Sequence, residues 1–409
     1  MRVTPVPQAP VNRNLRRERR RWDEGDVLPL ALGCVACADR EICGGLRKKQ
    51  NHFSCLDDCC GNPATCDSMC PRNLVGFIQR TREVNGLGLD NIPRATPCAA
   101  AGIPSYVPYL FHGNRRDAVL NVPCVALPLH KFYHRRDGAM SFSSRTEIDQ
   151  VFRLAPHTRI VLVGSGRDRP IEAWWGLSEK REGIVAELKK LGIDLVTSPN
   201  YSLFTDEVRY NDMYNMKRIG ITWQEFVGQS LPSAYHLNAR TAHDYLRLAE
   251  LIDGREEITD VSFEFKTGAA WPQRRGFHFD QLAQLAGRVS HPLRLFMVGG
   301  VTAIPTLAPA FAHVTFIDTT AFMSALHRQR LYLGNDGLVK KQPELTGAGL
   351  PVDLLLSSNV EIMRRRIEAV INASQSKTAS LAGSELPQEN PETETSELGA
   401  PSLGQAAGR

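Results

Sequence analysis

Eight of the chain's ten cysteines fall between Cys34 and Cys70. The run reads Cys34-x2-Cys37-x5-Cys43, then Cys55-x3-Cys59-Cys60-x5-Cys66-x3-Cys70-Pro71. Thiolates gathered this densely in one part of a large chain point to metal, as zinc sites or an iron–sulfur cluster. Zinc takes four tetrahedral ligands, so eight sulfurs would supply two closed sites. Cys34 and Cys37 have the short spacing that lets two thiolates grip one ion from a turn. Cys66-x3-Cys70-Pro71 matches the end of the bacterial ferredoxin run, where proline follows the last ligand, but the two preceding x2 spacings are absent. The Cys-x3-Cys-x2-Cys signature of radical S-adenosylmethionine enzymes is absent as well. Adjacent Cys59 and Cys60 rarely bind one ion together, so one of them is a spare or serves a second site. Disulfides are the competing reading, and they need an oxidising compartment. Residues 1–22 carry charge and proline but no apolar stretch of a secretory signal. The expectation is a cytoplasmic protein with zinc or an iron–sulfur cluster. Cys98 and Cys124 lie outside the cluster and read as small buried hydrophobes.

A second set of candidates follows from where apolar runs end. Buried strands are expected over Val119–Leu127, Arg159–Val163, Asp194–Thr197, Ala234–Leu237, Val261–Phe265, Leu293–Val298 and Val314–Ile317, with an eighth near Tyr106–Phe111. In a parallel barrel, functional groups sit just past the C-terminal ends of strands. Those positions hold Ser165, Arg167 and Asp168; Ser198, Asn200 and Tyr201; His236, Asn238 and Arg240; Glu264 and Lys266; Gly299 and Gly300; and Asp318, Thr319 and Thr320. The catalytic candidates drawn from them are His236, Glu264, Lys266, Asp168 and Asn200. Glu264 and Lys266 are two residues apart on a strand and therefore share a face. They read either as base and electrophile or as a structural ion pair. His236 reads either as an acid–base group or as a hydrogen-bonded core histidine. Gly299-Gly300 opens a helix-like segment, where backbone N–H groups can approach a phosphate; the alternative is a tight turn. Trp174, Trp175 and Trp271 are expected in loops beside Arg167, Arg169, Arg274 and Arg275, where aromatic rings and guanidiniums could stack bases and hold phosphates.

Helical patterns lie between most of the strands. Lys180–Leu191 places Ile184, Val185, Leu188 and Leu191 on one face and closes at Gly192. Thr241–Ile252 opens on a threonine cap, and Phe279–Ala286 has a similar apolar face. Strand, helix, strand at this pace predicts an α/β fold with a parallel sheet and crossover helices. Seven or eight strands suit a (β/α)-barrel, with an open doubly wound sheet as the alternative. No Gly-x-Gly-x-x-Gly follows the first strands, which argues against a dinucleotide fold. The expected organisation is a disordered basic arm over 1–27, a cysteine-rich metal-binding module over 28–95, a barrel-like domain over 100–372 and a disordered tail over 374–409.

Length and composition bound the rest. With 409 residues and 42% apolar content, the chain can bury a sizeable core. No apolar run approaches the roughly 18 residues of a membrane span, so no membrane partner is expected. The net charge of +5 is too mild to imply a nucleic-acid partner by itself. The charge is uneven, however. Arg13, Arg16, Arg17, Arg19, Arg20 and Arg21 form an arm broken by Glu18, which could contact nucleic acid or nucleotide phosphates or simply be solvated.

The stretch Leu195-Val-Thr-Ser198-Pro199-Asn200-Tyr201-Ser202-Leu203-Phe204, with Asn215-Met-Lys217-Arg218 after it, resembles an uncharacterised family of phage and mobile-element proteins. The resemblance runs from about Arg159 to Ile317 and leaves out the cysteine module. It implies a barrel-like fold and a mobile-element setting, and no catalytic residue. The residues together point to a metal-binding enzyme acting on a phosphate-bearing substrate such as nucleotide or nucleic acid. The competing classes are a nucleic-acid-binding adaptor without turnover and an iron–sulfur redox sensor.

Overall fold

The computed structural model describes residues 74–100, 102–203, 209–266, 272–344 and 351–383. The cysteine run Cys34–Cys70, the arginine arm, Trp271 and residues 384–409 lie outside the described residues.

Eight short strands form the centre: β1 (Tyr106–Pro108), β2 (Cys124–Pro128), β3 (Arg159–Val163), β4 (Leu195–Thr197), β5 (Ser233–His236), β6 (Asp260–Glu264), β7 (Arg294–Val298) and β8 (His313–Asp318). All the pairings among them are parallel, in the spatial order β1-β8-β7-β6-β5-β4-β3-β2. The two ends of that order meet: Tyr109 bridges Ala126 in parallel sense, and Leu110 N–H donates to the Ala126 carbonyl at 2.9 Å. The sheet is thus a nearly closed, TIM-barrel-like cylinder.

The strand sequences explain the closure. Arg159-Ile-Val-Leu-Val is β-branched and apolar on both faces, as a strand covered on both sides must be. Alternate positions divide between two cores. Val107, Cys124, Ala126, Val161, Val163, Leu195, Ala234, Phe296, Val298 and Ile317 belong to a small cluster that fills the cylinder. Val125, Leu127, Ile160, Leu162, Tyr235, Val261 and Phe263 belong to the larger layer between strands and helices. By the same alternation His236, Ser262, Glu264 and Lys266 share the inward register.

Helices wrap this cylinder: α1 (Leu74–Glu83), α2 (Arg145–Phe152), α3 (Asp168–Gly176), α4 (Lys180–Lys190), α5 (Arg209–Gly228), α6 (Ala242–Asp253), α7 (Pro272–Arg288), α8 (Ile304–Leu307), α9 (Thr320–Leu326) and α10 (Asp353–Gly383). Local signals set their ends. Thr241 Oγ1 accepts from Asp244 N–H while the Asp244 carboxylate accepts from Thr241 N–H, a complete capping box on α6. A hairpin, β9 (Gln329–Leu333) with β10 (Val339–Pro343), follows α9. The long α10 then packs on α8, α9, β1 and β9, where it covers the seam between the last strand and the first. Buried Asn359 fixes it there: its Oδ1 accepts from Leu331 N–H at 2.8 Å and its Nδ2 donates to Gln329 O at 2.9 Å. α10 runs on to Gly383.

The N-terminal end of the cylinder is plugged. Ala100 and Ile103 join the inner cluster. Arg294 holds the Asp260 carboxylate with both Nε and Nη2 at 2.6 Å, and also donates to the Ala100 carbonyl. The opposite end is where the βα connections emerge, and those after β4 and β6 pass through residues outside the described ones.

Candidate active site

Three of the five catalytic candidates meet at this end, the mouth of the barrel. Asn200, three residues past β4, donates from Nδ2 toward Glu264 Oε2 at 3.5 Å. Its Oδ1 accepts from Asn238 Nδ2 at 2.7 Å, and that same nitrogen donates to the Tyr201 carbonyl at 2.8 Å. The two asparagines tie the β4 and β5 connections to the last residue of β6. Glu264 is buried, and Lys266, two positions on, is exposed to solvent at the rim.

Lys266 has four neighbours that define it. Its Nζ stands 5.1 Å from the centroid of the Tyr109 ring. Its stem lies along the β7 turn, where a Cβ added to Gly299 would sit 3.1 Å from Lys266 Cγ. Asp318 and Glu264 act on it as charges rather than as hydrogen-bond partners. Protein atoms displace much of the water around the ammonium, and this desolvation lowers its pKa despite the opposing pull of Asp318 and Glu264. Asp318, at the end of β8, shows the converse. Burial raises its carboxyl above the usual range, although Thr320 donates to it from N–H at 2.5 Å and from Oγ1 at 2.6 Å. Burial and the Glu264 charge raise the Tyr109 phenol too, so it is a neutral wall of the site.

The glycine pair is explained by packing. Gly299 and Gly300 both have φ of +75°, and a Cβ on Gly300 would meet the Phe265 side chain at 2.6 Å. Only a residue without a side chain lets the β7 turn pass Phe265 and Lys266. Gly299 N–H is committed to the Ile317 carbonyl at 2.9 Å. The pair therefore shapes the wall behind Lys266.

The other two candidates stand apart. His236 is 3% exposed, and its Nδ1 lies 3.2 Å from Ser262 Oγ. Ser262 Oγ in turn reaches the Ala234 carbonyl at 3.4 Å, so the hydroxyl donates there and accepts from the ring. Burial alone pushes His236 down to about 3. It is a neutral member of the layer beneath the mouth. Asp168 is exposed in the first turn of α3 and accepts from Ser202 Oγ at 2.7 Å, which links the β3 and β4 connections.

Two readings of individual residues change. Trp174 and Trp175 were expected in a loop and lie in α3. Trp174 is a core residue stacked on Phe226, with centroids 5.6 Å apart. Trp175 is held between the guanidiniums of Arg181 and Arg218 at 4.6 and 4.8 Å, and its Nε1 donates to Glu83 at 2.6 Å. Ser198 and Arg240, both at strand ends, do structural work. Ser198 Oγ accepts from His236 N–H at 2.9 Å, and Arg240 pairs with Asp212 at 2.9 Å, both side chains being buried. Ser198 and Arg240 are thereby committed to the packing of the β5 end.

No protein-family model matches the chain, and no curated protein matches it.

The connections after β1, β2 and β3 expose more cations than acids, with Asp117, Asp137 and Asp168 exposed beside them. Arg115, Lys131, Arg135, Arg136, Arg167 and Arg169 are exposed on the connections after β1, β2 and β3. Two histidines register their field. Burial and then Lys131, Arg115 and Arg116 lower His112, while burial and then Lys131 and Arg135 lower His130. Among the described residues, no three or more His, Cys, Asp or Glu side chains are placed to hold a metal ion. Cys124 fills the barrel interior at 1% exposure, and burial pushes its thiol well up. No described helix is long and apolar enough to cross a membrane.

Proposed function

We propose that the protein is an enzyme whose active site is the C-terminal mouth of the barrel. On this reading Lys266 and Glu264 are the working groups, with Asn200 and Asn238 positioning the carboxylate and Asp318 setting the local charge. The observation that carries the reading is that Asn200, Asn238 and Glu264 are hydrogen-bonded across the β4, β5 and β6 ends, with exposed Lys266 electrostatically coupled to Glu264 and Asp318. Parallel barrels place their chemistry at such strand ends. The fold alone assigns no reaction, so the reading stands on the site. The excess of exposed cations on the connections after β1, β2 and β3 supports an anionic, phosphate-bearing substrate, a nucleotide or a sugar phosphate among them, because clustered cations raise the local concentration of anions. The cysteine module is proposed to hold zinc or an iron–sulfur cluster apart from this chemistry.

The test is turnover of a panel of nucleotides and phosphorylated sugars, followed by phosphorus NMR. The wild-type protein should consume at least one member. Glu264→Gln and Lys266→Met should each lose on the order of 100-fold or more, the usual cost of a removed acid–base group. Full turnover in both variants would place the chemistry elsewhere. A panel left intact by the wild-type protein would overturn the phosphate-substrate reading.

A further inference from the structure

We infer that Lys266 is an amine nucleophile that forms an imine with an aldehyde or ketone carried by the phosphate-bearing substrate. The inference rests on the barrel-mouth reading and narrows its substrate to a carbonyl compound.

The geometry separates Lys266 from every other feature of the mouth. Lys266 is an exposed residue at the strand end, so a substrate can approach it. Neither carboxylate near it is hydrogen-bonded to it, so attack by the amine breaks no contact ion pair. The Gly299 turn lies along the stem, and the Tyr109 ring stands 5.1 Å from Nζ. A stem lying against a turn loses less freedom when the amine becomes covalently bound. The nucleophile in imine formation is the neutral amine, and the desolvation at this site raises its share.

The step balances without an oxidant. The Nζ lone pair attacks the carbonyl carbon, a C–N bond forms, and the carbonyl π pair moves to oxygen. A proton passes from nitrogen to that oxygen to give the carbinolamine. The C–O bond then breaks, nitrogen closes the C=N bond, and the oxygen leaves as water with a second proton. Asp318 is suited to relay these protons, because it is coupled to the amine and Thr320 fixes its orientation. The sum is amine plus carbonyl giving imine plus water.

Lys217 is the natural internal control. Its amine is also lowered, to about 8, by burial. It is 1% exposed on α5, however, and donates to the Gly88 carbonyl and Asn91 Oδ1 on the outside of the barrel. A lowered pKa without access should give no imine.

The full chain is treated with pyridoxal phosphate, an aromatic aldehyde bearing a phosphate, or with pyridoxal, which lacks it. Borohydride then reduces the imine, and peptide mass spectrometry locates the label. Lys266 should be labelled measurably faster than exposed Lys189 and Lys190, the direction that its desolvated amine sets. Lys266→Met should remove that label, and Lys266→Arg should remove it with the positive charge kept. Pyridoxal should label Lys266 more slowly than its phosphate. Equal rates with both probes would keep the imine and overturn the phosphate-binding rim. Label spread evenly over surface lysines, or taken first by Lys217, would overturn the inference and leave the barrel-mouth reading to the turnover test.

Discussion

Mild acid should destabilise this barrel through two buried histidines. His236 and His278 are 3% and 4% exposed. Both are pushed down to about 3, by burial in each case and additionally by Arg274 for His278. In the unfolded chain a histidine titrates near 6.5. Between those values the unfolded state binds more protons than the folded state, so stability rises with pH there and is lost as pH falls below about 6.5. From pH 7 to pH 5 each histidine withdraws about 2 kcal/mol, and the pair about 4 kcal/mol. That figure depends on the unfolded value and not on the folded one, provided the latter stays well below 5. It is a large part of the roughly 5–15 kcal/mol that holds a typical domain together. Asp260 and Asp318, raised by burial, act in the opposite sense near the bottom of this window. The comparison with variants therefore isolates the histidines. Urea unfolding at pH 7 and pH 5 measures the loss, with an unchanged slope as the check on two-state behaviour. His236→Gln and His278→Gln should each shrink the pH-dependent loss by about 2 kcal/mol. If either variant loses as much as the wild-type protein, that histidine is not buried neutral. The result also decides the role of His236, since a group that stays neutral down to about 3 cannot supply an acid limb near neutrality.

Gly300→Ala should destabilise the protein by about 2–5 kcal/mol, combining the left-handed backbone with overpacking against Phe265. A change in urea midpoint corresponding to under about 0.5 kcal/mol, the range of an indifferent surface substitution, would show that the β7 turn does not need this glycine. Metal analysis with a visible spectrum of anaerobically purified protein should find either zinc without colour or iron with sulfide and a broad visible band. Protein that folds and holds neither metal would remove the reading of Cys34 to Cys70 as ligands.

The barrel was legible because its strands are buried on both faces. Arg159–Val163 was placed to the residue, and Ala234–Leu237, Val261–Phe265, Leu293–Val298 and Val314–Ile317 fall within a residue or two of the observed strands. Apolar runs bounded by turn residues leave little freedom for such strands. The capping threonine of α6 was equally readable, because Thr241 and Asp244 interact only with their own first turn. The outer seam was not. α5, α10 and the β9–β10 hairpin carry mixed faces, and what fixes them is tertiary. Asn359, for example, is wholly buried only because β9 and α9 offer backbone groups to its amide.

The site was legible to the extent that period two governs it. Alternation alone placed Glu264 and Lys266 on one face, and the strand-end rule picked out Asn200, Asn238 and Asp318. The same rule also returned Ser198, Arg240 and His236, which close on backbone groups, on Asp212 and on Ser262. A strand-end polar residue is therefore a candidate of two kinds, and the sequence does not separate them. What separates them is depth. His236 is the final residue of β5 and meets the neighbouring strand, whereas Asn238, two residues further, clears the sheet edge and reaches across to Asn200. Tyr109 carried no signal at all, because it sits in an apolar run and acquires a role only where β1 and β2 close the cylinder. The groups around Lys266 are thus contributed by the closure of the barrel. The ring near Lys266 follows directly on the first strand, the carboxyl beside it ends the last, and their parallel pairing brings the two ends of the domain to the same amine.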